Sequence, residues 1–118
     1  MTVQTKTPAV DLVYIDTVLC QARDAAQQAA VVAYAQIGER DACGFAWVTV
    51  YKVRSNSKLG KLLAKHGFSK SYSGGLQLWN PSGHGTQSIG VKEAGAIVYA
   101  GLLKSQLGIE AYAGSRMD

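Results

Sequence analysis

Ser82, His84, Thr86, Gln87 and Ser88 fall in one short segment, WNPSGHGTQS (79–88), that holds no acidic or basic side chain other than His84 and no Leu, Val or Ile. A pattern of helical period follows it directly. The first N–H groups of a helix have no intrahelical acceptor, and with the helix dipole they favour an anion. Gly83 and Gly85 permit backbone conformations that aim further N–H groups at one point. Trp79, just before, offers a ring face for a base or other planar group. The expected ligand-binding set is therefore Trp79, Ser82, His84, Thr86, Gln87 and Ser88, and the expected ligand is an anionic, nucleotide-like small molecule. The competing reading is an ordinary loop, with Ser88 as N-cap and Trp79 in the core.

Catalysis is a weaker reading of the same residues. A Ser–His hydrolytic pair needs an orienting third group and an oxyanion site. His84-Gly85-Thr86 also matches the His-x-Thr element of two-histidine phosphoesterases, but those need two copies, and His66-Gly67-Phe68 is not a second. The phosphate-loop patterns GxxxxGK[ST] and GxGxxG are absent, as are HExxH and paired CxxC. The eight carboxylates are scattered. Cys20 and Cys43 match no metal-ligand spacing and read as buried free thiols rather than a disulfide. No catalytic residue, metal or cofactor is expected. His66 reads as a cation at a helix C-terminus. Arg116, in the closing GSRMD, is added to the ligand-binding set because guanidinium suits bidentate contact with phosphate or carboxylate.

Charge is unevenly spread. The net charge is +4, yet residues 42–91 contain no acid and carry Lys52, Arg54, Lys58, Lys61, Lys65 and Lys70. Lys58, Lys61 and Lys65 share one face at helical spacing and form the expected basic patch. Such a field favours anionic partners: nucleotides, nucleic acid or an acidic protein surface.

The elements that must position these groups follow from periodicity. With 118 residues, 47% hydrophobic and 17% charged, the chain is expected to form one globular domain with its own core. Residues 8–37 read as a long helix, opened by Thr7 and Pro8 and closed at Gly38, and residues 43–118 as the core that follows. Leu12, Ile15, Leu19, Ala22, Ala26, Ala29 and Ala33 form a heptad seam, which can pack on the chain's own domain or on a twin helix; a homo-oligomer through this helix is the expectation, packing within the chain the alternative. GFAWVTVYKV (44–53) alternates as a strand with both faces covered. Residues 55–67 read as a short helix, 69–79 as a second strand with a bulge or a close backbone approach at Gly74-Gly75, and residues from about 89 to 107 as a third helix stopped by Gly108. The small residues Gly90, Ala94, Gly95 and Gly101 imply close packing there. IEAYAG alternates as a last strand, followed by a polar tail. The expected class is α+β: a long helix, then β-α-β-α-β with a three-stranded sheet, a small parallel arrangement remaining the alternative. No membrane span or secretory signal is visible, so the expected location is the cytoplasm.

CGFAWV (43–48), GGLQLWNPSG (74–83), TQS (86–88), KEAGA (92–96) and YAGSRMD (112–118) together resemble a group of small tailed-phage accessory proteins. The resemblance implies a setting in an infected bacterial cell, where proteins of this size inhibit host machinery or neutralise defence, some as oligomeric sponges for nucleotide signals. Three functions stay open: a nucleotide-binding protein without turnover, an inhibitor that binds a host or defence protein through its basic helix, and a nucleic-acid-binding protein.

Overall fold

The structure, a computed structural model, describes residues 11–39, 41–71 and 74–118. Helix α1 spans Leu12–Ile37, and its expected opening at Thr7 and Pro8 lies outside the described residues. Ile15, Val18, Leu19, Ala22, Ala26 and Ala30 are its buried face. Ala29 and Ala33, expected on the seam, are only half-buried, and Ala30 lies inside in their place. A straight helix drifts by about 20° per heptad against a strict seven-residue repeat, so a stripe extrapolated over three repeats rotates off the contact face.

The partner of that face belongs to the same chain. Helix α3 (Ile89–Leu107) packs along α1, and an added Cβ on Gly95 would sit 3.3 Å from the Ala26 carbonyl oxygen. Small residues on both helices let the backbones approach; Tyr99 and Leu103 of α3 then fill the core beside Leu19. Burying each such large side chain contributes about 1.5–3 kcal/mol. Gly101, by contrast, has nothing near it.

β-branched and aromatic residues in alternation make β1 (Gly44–Val50), which ends short of the expected Val53, just before Lys52 takes a left-handed φ of 63°. Gly44, Ala46, Val48 and Val50 turn towards the helices and are buried. Helix α2 (Lys58–Lys65) is capped by Ser57, whose Oγ accepts from Gly60 N–H at 2.9 Å, and closes at His66. Residues 69–79 form two strands rather than one. β2 (Ser69–Lys70) and β3 (Leu76–Trp79) are joined by a turn in which Gly74 and Gly75 have φ of +99° and +79°. Those values suit glycine alone at little cost, so the chain reverses here rather than bulging, and the close backbone approach is met at Gly75, where a Cβ would stand 2.6 Å from the Val50 carbonyl oxygen. β4 (Ala111–Met117) runs past Gly114, where the polar tail was expected to begin, because residues 115–117 continue the ladder to Gly44↔Met117.

The sheet order is β2-β3-β1-β4 and every pairing is antiparallel. The class is α+β, with four strands. After α1 the order β-α-β-β-α-β is that of a split β-α-β unit. α3 covers one face of β1 and β4, α1 lies against α3, and α2 touches α1. Among the described residues all three helices thus belong to one side of the sheet, and none of them covers the outer side of β1, where Phe45 and Trp47 are half-buried. Among the described residues no helix is long and apolar enough to cross a membrane.

Candidate functional site

The polar loop is built to satisfy itself. Asn80, at φ 47°, donates its side-chain amide to the His84 carbonyl at 3.0 Å, and Ser82 Oγ donates to Asn80 Oδ1 at 3.3 Å while accepting from His84 N–H at 3.2 Å. His84 Nδ1 accepts from Thr86 N–H at 3.1 Å, and its ring lies 4.9 Å from that of Tyr34. Thr86 Oγ1 accepts from Ser88 N–H at 3.0 Å. Gln87 donates its N–H to Glu39 and accepts from the Cys43 thiol at 3.3 Å. Ser82, Thr86 and Ser88 are buried, so little of this polarity faces solvent.

The anion at the start of α3 is the protein's own. Ser88 caps the helix, its Oγ accepting from Val91 N–H at 3.3 Å. Asp41 Oδ2 then accepts from Ser88 Oγ at 2.8 Å and from Gly90 N–H at 2.7 Å, and Oδ1 from Ala42 N–H at 2.8 Å. The Gly90 N–H above all, then the Ser88 hydroxyl and the Ala42 N–H, hold the Asp41 carboxyl below the usual carboxylate range. Electrostatically this is what a helix N-terminus favours, supplied from within the chain.

Trp79 is separated from that loop. Strand alternation sends Leu76 and Leu78 towards the helices and Gln77 and Trp79 to the opposite, uncovered face. Register places Trp79 across from Trp47 and Gln77 across from Thr49. On the other flank of β1, Phe45 faces Arg116, Trp47 faces Gly114 and Thr49 faces Tyr112. The outer face thus reads Phe45, Trp47, Thr49, Gln77, Trp79, Tyr112 and Arg116, and continues at one end to Tyr51 and Glu110, whose carboxylate pairs with Lys52 at 2.7 Å.

The rings form two groups on this face. Trp47 and Trp79 lie with centroids 4.9 Å apart, Phe45 meets Trp79 edge-on at 6.0 Å, and Tyr51 lies 6.0 Å from Tyr112. Gln77 accepts from the Trp79 indole N–H at 2.9 Å and reaches Thr49, which fixes the Trp79 ring while leaving it 48% exposed. Cations border the rings. The Arg116 guanidinium lies 5.8 Å and Lys92 Nζ 5.4 Å from the Phe45 centroid, and Lys104 Nζ lies 4.3 Å from that of Tyr112.

Of the residues singled out in the sequence, Trp79 and Arg116 therefore share the open face; Ser82, His84, Thr86, Gln87 and Ser88 belong to the loop on Trp79's far side and to one another. Phe45, Trp47, Gly114 and Lys92 were missed. The alternation of β1 was legible, but its aromatic side could not be told from a covered one. Lys58, Lys61 and Lys65 are exposed on α2, and none forms a salt bridge among the described residues. Both cysteines are free; Cys43 is exposed rather than buried and Cys20 half-buried.

The helix layer holds a second group of donors. His66 Nε2 lies 2.7 Å from Asp16 Oδ1, so His66 ties α2 to α1 besides closing α2. Asp16, Cys20 and His66 each bring one donor atom within 4.8 Å of the other two. Comparison with known proteins finds no matching family model, curated protein or solved structure.

Proposed function

We propose that this protein binds nucleotide bases by stacking them on the open face of its sheet, without turning them over, and that its preferred occupant is a short single-stranded nucleic acid. The observation that carries this is the Phe45–Trp47–Trp79 surface on the two central strands, bordered by Arg116 and Lys92. Four-stranded sheets that present aromatic residues in this way stack successive bases of a single strand, a likeness of architecture only. Stacking is worth about 1–3 kcal/mol per base and tolerates any base, while the cations answer the phosphates.

A lone nucleotide, the ligand first expected from the loop, fits this face less well. Small-ligand sites are concave and bury most of their ligand, whereas these rings lie on an uncovered surface. At the start of α3 the Ser88 hydroxyl and the Gly90 N–H are engaged by Asp41. Titration with a single-stranded oligonucleotide and with mononucleotides separates the two: the oligonucleotide saturates at lower concentration, and equal affinity per molecule would refute the extended mode. The segment resemblance supports a role as a phage accessory protein acting on such a ligand in the host cytoplasm.

A second reading is favoured by the surface of α2. Lys58, Lys61 and Lys65 flank a cleft of about 430 Å³ whose other walls are Leu12, Val13, Leu62 and Asp16, the last held by His66. A basic rim around apolar side chains, with Val13 82% exposed, suits an acidic protein partner. Charge reversal at Lys58 and Lys61 would abolish that association and leave oligonucleotide binding intact. Self-association through α1 would use Val13, Val31 and Val32, because α3 fills the alanine seam.

A further inference from the structure

We infer that Asp16, Cys20 and His66 form a zinc-binding site that joins α1 to α2. It belongs to the helix side of the molecule and stands independently of the base-stacking reading.

Asp16 and Cys20 are four residues apart on α1 and so lie one above the other on a single helix face. His66 comes from the C-terminal end of α2, where its backbone N–H caps the helix and its side chain is 14% exposed. The three side chains are half-buried, and their donor atoms, one oxygen, one sulfur and one nitrogen, all lie within 4.8 Å of one another. Zinc takes carboxylate, thiolate and imidazole donors at about 2.0–2.3 Å. Tetrahedral geometry at those bond lengths separates donors by roughly 3.3–3.8 Å. The Asp16–His66 contact of 2.7 Å must open, a movement of the order of a side-chain rotation.

The charges suit a divalent ion. A carboxylate and a thiolate neutralise it, the thiol proton leaving to solvent as the metal binds, and the imidazole coordinates in its neutral form. The soft sulfur donor favours zinc over magnesium or calcium. Three protein ligands leave a fourth position for water or a small anion. His66 also lines a cleft of about 470 Å³ with Arg23, Gln27 and Lys65, whose cations would favour an anion there.

A cysteine–histidine–aspartate nucleophilic triad is a different arrangement. It requires the thiol and the carboxylate on opposite ring nitrogens, whereas here one atom from each residue converges on a common point.

The test uses the full chain, stripped of metal with a chelator and titrated with Co²⁺ under reducing conditions, followed by displacement with Zn²⁺. A thiolate-to-cobalt charge-transfer band and visible tetrahedral bands should appear, saturate at one equivalent and vanish when Zn²⁺ is added. Cys43→Ala should keep the bands and Cys20→Ala should lose them; alanine suits a helix interior, and Cys20→Ser provides an independent check with near-native volume. Asp16→Asn and His66→Gln should weaken binding by at least about tenfold. Absence of the bands in the parent protein, or their persistence in Cys20→Ala and Cys20→Ser, would overturn the assignment.

Discussion

The indole of Trp47 lies across Gly114 on the neighbouring strand: a Cβ added to Gly114 would stand 2.5 Å from the indole Nε1. A glycine in β4 is thus the floor on which the first ring of the open face rests. Gly114→Ala should leave the ladder in place and tilt Trp47 away from Trp79. The expected outcome is a changed near-ultraviolet circular dichroism spectrum and weaker oligonucleotide binding, with an unchanged far-ultraviolet spectrum.

Trp79 separates binding from stability. Its ring is nearly half exposed and packs against Phe45 and Trp47 rather than the core. Trp79→Ala should move the urea midpoint little, yet weaken single-strand binding by the loss of about 1–3 kcal/mol, or roughly 5- to 150-fold. A large fall in stability with unaltered affinity would show the ring to be structural.

Arg116 should act through phosphate. Each phosphate neutralised on a single strand contributes about −0.7 to the slope of log K against log salt. Arg116→Ala should make that slope shallower by about this amount while the preference among bases stays the same. Affinity measured at several salt concentrations checks it.

The start of α3 predicts an acid-dependent stability. Asp41 carries a folded-state pKa depressed below its ordinary 3.8. Its contribution is therefore fully present above that ordinary value and is lost as pH falls through the folded value. Asp41→Asn should lower stability at pH 7 and flatten its decline under acid conditions, as read from urea midpoints across pH. Ser88→Ala, which removes the buried cap itself, should cost about 1 kcal/mol.

What the sequence disclosed followed from how local each cause was. Ser88 and Gly108 mark the ends of α3 within a residue, because caps depend on neighbours in the chain. Trp79 stood out as a ring beside the loop, but not which way it points: that depends on the turn at Gly74–Gly75 and on pairing with β1. Arg116 looked like part of a tail because nothing apolar beyond Tyr112 and Ala113 except Met117 signals a strand; the ladder from β1 supplies the order. Asp41 reaches Gly90 across 49 residues and His66 reaches Asp16 across 50, separations at which spacing carries no signal. The donors of the 79–88 loop are engaged within the chain, by partners that local spacing does not reveal.

Both tryptophans of the chain, Trp47 and Trp79, stand on the open face, so fluorescence excited selectively in tryptophan reports on that face alone. Titration with a single-stranded oligonucleotide at low salt is the most direct test of the central proposal. It should quench the emission saturably, with the effect reversed by added salt and binding lost in Trp47→Ala combined with Trp79→Ala when followed by anisotropy of a labelled strand. Emission that does not respond, or a labelled strand that binds the double variant as tightly as the parent protein, would contradict it.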